Sequence, residues 1–245
     1  MIEQAKLATK DRESYHHVEY RQGVAEDLAF IKDGSVDMVT VGQSVHWFEL
    51  PQFFREMERV LRGSGTLAFW GYTDFIIQDY PAASQILHEM AYAESENQLG
   101  PYWQQPGRSI LQNFLRDVQP PKSGWVMVDR QEYDPSRENM VDVDEAGKSY
   151  GQSRKGPVIM RQRMPVATVM EYVRTWSSFH GWQQKHPNEK AKSDGGTGDI
   201  VDDVFERIAQ VEDDWKLHSD WRQKELDIVW GTALILARRR DSGVE

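Results

Sequence analysis

Residues 18–72 read VEYRQGVAEDLAFIKDGSVDMVTVGQSVHWFELPQFFREMERVLRGSGTLAFWGY, and this stretch decides the fold. Val36 to Gly42 alternates and then runs apolar, as a buried parallel strand does. Pro51 suits the first turn of a helix. Phe53, Phe54, Met57, Val60 and Leu61 then recur at three- and four-residue spacing until Gly63 ends the helix. Gly63-Ser64-Gly65 turns the chain into a further strand, Thr66 to Trp70, so the stretch contains a βαβ unit and predicts an α/β fold. Ahead of it, Val18 to Gln22 reads as another strand ending at Gly23, followed by an acidic turn at Glu26-Asp27. Met1 to Lys10, with Ile2, Ala5, Leu7 and Ala8 among charges, reads as a short amphipathic helix.

Beyond Tyr72 the pattern changes to helices and long polar loops. Ala82 to Ala93 and Arg108 to Asp117 read as helices, Trp125 to Tyr133 as a strand, and Asp134 to Gly156 has no periodicity. Val166, Val169, Met170, Val173, Trp176 and Phe179 make one helical stripe. After a loop from Lys185 to Asp199, the residues Val204, Ile208, Val211 and Trp215 make another. Leu226 to Ala237 is an apolar strand of the kind that enters the centre of a sheet. The whole of 1–245 reads as a single domain, with helical substrate or lid segments at 73–122 and 157–222.

Composition narrows the function. A net charge of -10 over 245 residues argues against a nucleic-acid partner, because phosphate binding needs clustered Lys and Arg. The absence of cysteine excludes disulfides, thiolate metal sites and a Cys nucleophile, and fits a reducing compartment. No apolar run approaches the ~20 residues of a membrane span and no signal-peptide core opens the chain, so a cytoplasmic location is expected.

GVAEDL, SVDMVTVGQSVHWF, ERVLRGSGTLAFWGY, TWSSFHGW and VWGTALILARR together resemble class I S-adenosylmethionine-dependent methyltransferases (type 11). Within them they are most similar to small-molecule enzymes of the trans-aconitate methyltransferase group. The resemblance implies a Rossmann-like sheet in the order 3-2-1-4-5-7-6, with cofactor at the carboxyl ends of the central strands. On that scheme Val18 to Gln22 is strand three, Val36 to Gly42 strand four and Thr66 to Trp70 strand five, while Trp125 to Tyr133 and Leu226 to Ala237 form the last antiparallel pair. Strands one and two have no counterpart, so the sheet is read as truncated at its N-terminus, through an incomplete coding sequence or a naturally shortened homologue. Two absent strands leave three strand spacings, ~14 Å, between strands three and four. Strand three must then collapse onto strand four, detach or borrow a partner. The bared sheet edge also invites a protein partner or a homo-oligomer.

The resemblance also distributes roles. Ala25 and Glu26 follow strand three on the adenine side, where Glu26 either accepts from the cofactor's amino group or caps the next turn. Gly42, Gln43 and Ser44 line its far side. His46 either orients substrate or acts as the catalytic base, and Trp47 either offers a π face to the sulfonium or staples the next helix. Trp70 and Tyr72 face the substrate, Tyr102, Trp103 and Arg108 belong to a lid with arginine suited to an acidic group, and Trp176 and His180 share a helix face from which Arg174 is offset. Two readings stay open. One is S-adenosylmethionine-dependent methyl transfer to a small acidic or aromatic metabolite, in a secondary-metabolite pathway. The other is a non-catalytic accessory protein that binds or steers a pathway intermediate.

Other motifs carry less. Asp194-Gly195-Gly196-Thr197-Gly198 is fed by no strand and followed by no immediate apolar helix, so it reads as a flexible loop. Gly147-Lys148-Ser149 lacks a P-loop's upstream glycine, and Asp142, Asp144 and Gly147 lack the remaining calcium ligands. His16-His17 and the pair His180 and His186 lack a third ligand, so no metal is expected.

Overall fold

A computed structural model describes residues 2–10, 12–135, 160–217 and 220–241. Its elements are α1 (Ile2–Thr9), β1 (Val36–Gly42), α2 (Leu50–Val60), β2 (Leu61–Ile77), α3 (Pro81–Tyr92), α4 (Gly107–Gln112) and β3 (Trp125–Tyr133), then β4 (Arg161–Pro165), α5 (Val166–Arg174), α6 (Ser177–Lys185), α7 (Ile200–Val211), α8 (Asp213–Lys216) and β5 (Glu225–Arg239). The sheet runs β1-β2-β5-β3, with β4 added along the first part of β5. β1 and β2 are parallel, while β5 is antiparallel to β2, β3 and β4. This reproduces the 4-5-7-6 side of the order that the resemblance implies.

Two apolar clusters flank the sheet. One joins α2 to β1, the first half of β2 and the second half of β5 through Phe53, Phe54, Met57, Leu67 and Ile235. The other joins α3, α5, α7 and α8 to the remaining halves of β2 and β5 through Ile77, Met90, Val169, Phe205 and Ile228. β2 and β5 span both clusters because their long apolar runs keep a side chain for each. Between the two, the β2–β5 register slips: Tyr72 pairs Thr232 and Phe75 pairs Trp230, so Thr73 and Asp74 oppose Gly231 alone. That is a β-bulge, which bends a strand and re-aims a side chain. Gly231 is needed there, since a Cβ would overlap the Thr73 hydroxyl.

Several expectations are corrected. Val18 to Gln22 forms no strand. Among the described residues nothing pairs with β1 on its outer side, so this segment has not collapsed onto strand four. Segment 24–33 is instead tied to α2: Arg59 donates to the carbonyls of Leu28 and Ile31, and Glu56 accepts from the Leu28 N–H at 2.6 Å. α1 forms but buries no residue. α2 ends at Val60, three residues before Gly63, and the strand starts at once at Leu61 with Gly63 to Gly65 inside it. The Arg108–Asp117 helix stops at Gln112, because Phe114 and Leu115 take positive φ of 54° and 57°. The Val166–Phe179 stripe is two helices broken at Thr175-Trp176. α7 starts directly after the glycine-rich loop, capped by Asp199, whose carboxylate accepts from the N–H groups of Val201 and Asp202. β4 was not foreseen, as RQRMP has no strand alternation. The readings on residues 142–149 and on most of Asp134 to Gly156 lie outside the described residues. No described helix is long and apolar enough to cross a membrane.

Candidate functional site

Beyond the carboxyl end of β1 and against the β2 bulge, a cleft of about 430 Å³ opens between the sheet and the helical layer. In open α/β sheets this end of the strands is where ligands collect. Gln43 forms its floor. It takes a positive φ of 51°, and its side-chain amide donates to Tyr72 O at 3.0 Å while its oxygen accepts from Tyr72 N–H at 2.7 Å. The amide thus extends the β1–β2 ladder by one residue and fixes the strand where the bulge begins.

Aromatic rings make the walls. Trp47 lies across the backbone of α4, in the space that a Cβ on Gly107 would fill. Phe75, Tyr172, Trp176 and Trp103 pack in sequence, with Trp103 and Trp176 centroids 5.6 Å apart and Phe75 and Trp176 6.0 Å apart. Tyr172 is held by the Trp230 indole N–H at 3.0 Å, and Trp103 donates its own indole N–H to Ala91 O at 2.7 Å. Satisfied indole and phenol groups leave ring faces, not unpaired polar atoms, toward a ligand.

One ion pair sits among them. Arg108 lies 4.0 Å over the Trp103 ring and bonds Asp74 and the Tyr92 hydroxyl, with its Nε 2.9 Å from the latter. The Tyr92 hydroxyl donates to the other Asp74 oxygen at 2.6 Å. Burial, then the charge of Asp74, pushes the Tyr92 phenol up, so it stays protonated and can make that bond. Among the described residues the Arg108 Nη1 has no hydrogen-bond partner. His46 also lines the cleft and is buried, its Nδ1 unpartnered among the described residues, and its ring lies 4.8 Å from that of Trp47. Burial first, and the Arg108 charge second, lower its pKa to about 4. His46 is therefore a neutral imidazole at pH 7, able to hydrogen-bond but a weak base.

The structure brings seven of the expected residues to the cleft: Gln43, His46, Trp47, Tyr72, Trp103, Arg108 and Trp176. Seven others line it nowhere. Ala25 packs on the α2 cluster, and Glu26 accepts from the Glu49 N–H at 2.8 Å, capping α2. Gly42 lies under the Trp70 indole, so those two cover one another outside the cleft. Ser44 precedes the short turn that carries His46. The Tyr102 hydroxyl donates to Glu96 O at 3.1 Å, and exposed His180 stands edge-on to Phe179. His180 and Trp176 do not share a helix, since Trp176 caps α6 from outside it. Arg174 is buried in ion pairs with Asp199 and Asp202, at 2.8 and 3.0 Å, away from the cleft. Sequence reading missed Asp74, Tyr92 and Tyr172. The only available signal was the aromatic and acidic content of TDF and AYAE, which no spacing rule links to Arg108.

These positions bear on the cofactor that the resemblance implies. Of its assigned residues only Gln43 reaches the cleft, and both ends of that amide are used within the chain. The described residues therefore do not fit the whole of S-adenosylmethionine. What they do fit is a compact organic ligand among the rings. Among the described residues no cluster of His, Asp and Glu is placed to hold a metal.

Residues 1–69 match the family model described as a methyltransferase domain. The chain is 26% identical to the probable S-adenosylmethionine-dependent methyltransferase CRG1 of Saccharomyces cerevisiae, over 98% of this chain and 76% of that protein. A proposed methyltransferase of Dictyostelium discoideum is 36% identical over 45% of this chain, which spans 40% of that protein's length. Among solved structures, a proposed type II methyltransferase from Anaeromyxobacter dehalogenans is similar in fold, with a TM-score of 0.58, 16% identity and coverage of 94% and 78% of the two chains.

Proposed function

We propose, from the premise that this chain belongs to the class I S-adenosylmethionine-dependent methyltransferase family, that it serves the methylation of a small organic acid with an aromatic or apolar body. The observation that carries this reading is the aromatic-walled cleft at the carboxyl end of β1, lined by both Arg108 and neutral His46. In the family reaction the cofactor supplies a methyl group on sulfonium; the residues described here would hold the acceptor. Arg108 offers its open Nη1 edge to the ligand's carboxylate. His46 adds one hydrogen bond without bringing a second charge. The rings of Trp47, Tyr72, Phe75 and Trp176 enclose the body of the ligand and keep water from it. A carboxylate oxygen as methyl acceptor needs no base, which suits a histidine this weakly basic.

A second reading, a non-catalytic protein that binds such an acid for a partner enzyme, is favoured by one observation. Glu26 and Gln43, the polar groups expected at the cofactor, are engaged by Glu49 and Tyr72 of the chain itself. One experiment separates the two. The purified chain is incubated with methyl-labelled S-adenosylmethionine and a panel of aromatic and aliphatic carboxylic acids. Base-labile label on an acid, lost in Arg108→Met, supports methyl ester formation. Saturable acid binding without label leaves the accessory reading, and no binding of any acid overturns both. Its partners, whether a further protein or a second copy, belong to the same proposal.

A further inference from the structure

Behind the cleft lies a second cavity of about 260 Å³ that no part of the proposed reaction uses. Its floor is apolar, from Phe75, Ile76, Leu87, Ala91 and Phe114, and its rim carries His88 and Gln112. Thr73, Asp74, Phe75 and Trp176 line both spaces, Arg108 lines only the cleft, and Tyr92 only the cavity. The partition is thus the bulge of β2 with the Asp74–Arg108 ion pair across it. Asp74 is held from both sides, by Arg108 toward the cleft and by the Tyr92 hydroxyl toward the cavity.

We infer that the second cavity is a tail subsite: it takes an apolar chain borne by the same acid whose carboxylate engages Arg108. This rests on the acceptor reading above. The carboxylate takes the open Nη1 edge and leaves the Asp74–Arg108 pair in place, and the tail passes Phe75 and Trp176, which line both spaces. At ~30 Å³ per water-sized group the cavity has room for roughly eight methylene-sized groups. Its apolar floor rewards them, each buried methylene being worth about a factor of four in affinity.

The test compares benzoate with 4-hexylbenzoate in calorimetric titrations of the whole chain, then of Gln112→Trp and His88→Trp. Both substituted positions are exposed, so both variants should fold, and circular dichroism checks that they do. The wild type should bind the hexyl acid at least tenfold more tightly, and each tryptophan should erase that advantage while leaving benzoate affinity unchanged. If the hexyl advantage persists in both variants, or is absent from the wild type that binds benzoate, the tail subsite is wrong and the acceptor cleft stands. If neither acid binds the wild type, the acceptor reading fails and takes the subsite with it.

Discussion

Arg108 and Arg174 have side chains of equal exposure, 11%, and each bonds a buried or half-buried aspartate, yet their surroundings make them different devices. Arg174 is enclosed. Its guanidinium meets Asp199 at 2.8 and 2.9 Å, Asp202 at 3.0 Å and Glu171 at 2.8 Å, and the two aspartates in turn cap α7. Arg108 has one carboxylate, a phenol and a Trp face, and it borders open space. Similar local chemistry therefore serves to lock one region and to present charge in the other. What separates them is whether every donor is used within the chain.

The largest expected effect is on the closed network. Arg174→Met leaves the carboxylates of Asp199 and Asp202 buried beside one another without their cation, a loss of about 3–5 kcal/mol by analogy with broken buried pairs. Urea unfolding should show this, while benzoate affinity of the folded fraction stays the same. Asp199 adds a pH signature. Burial acts to raise its pKa, but its bonds to Arg174 and to the α7 backbone win, and it lies below the ordinary value. Its stabilising contribution is present above that ordinary value and lost as pH falls through the depressed one. In Arg174→Met the loss should begin at higher pH.

Arg108→Met should reverse the pattern. Asp74 is partly exposed and keeps Tyr92, so stability should fall by only about 1 kcal/mol. Binding of an aromatic acid should weaken by about thirtyfold, the weight of one charge-assisted hydrogen-bonded contact of ~2 kcal/mol. Equal stability losses in the two arginine variants would break the comparison. Gly231→Ala sharpens it from a distance: the added methyl presses on Thr73, and overpacking should cost about 1–2 kcal/mol. Since the bulge aims Asp74 at Arg108, acid binding should weaken too, whereas Gly195→Ala, in a loop away from the cleft, should leave it unchanged.

The same contrast explains what could be read from the sequence. β1, α2, β3 and β5 were legible because burial on a regular element leaves an apolar period. β4 was not, since RQRMP is placed by pairing with β5 and only Met164 in it is buried. Val18 to Gln22 failed in the opposite way: its composition is strand-like, yet it pairs with no neighbour even though the outer edge of β1 is open among the described residues. In the cleft, Gln43, His46 and Trp47 were reachable because they follow the end of β1, and Tyr72 because it sits just past the expected strand Thr66 to Trp70, although β2 runs on to Ile77. Asp74, Tyr92 and Arg108 meet across a bulge and two helices, and no local pattern encodes a bulge set by a glycine 157 or more positions along the chain, Asp74 and Gly231 being the pair in question.

The smallest effect is the most specific to the cleft. His46 titrates near 6.5 in the unfolded chain and about 4 in the fold. Between those values the unfolded state holds the proton and the native state does not, so stability falls as pH drops from 6.5 toward 4. The contribution is whole above 6.5. Because His46 borders an open cleft that water can enter, its share is about 1 kcal/mol and not the full value of the shift. His46→Gln keeps a polar side chain of similar reach and removes the titration. Urea midpoints at pH 4.5, 5.5, 6.5 and 7.5 should therefore fall less steeply toward acid in the variant, the carboxylates being common to both chains. Parallel curves would mean that His46 titrates alike in the folded and unfolded chain and so gains its proton in the fold between pH 7.5 and 4.5. It would then carry a charge beside Arg108, and the cleft would hold two cations for an acid in place of one.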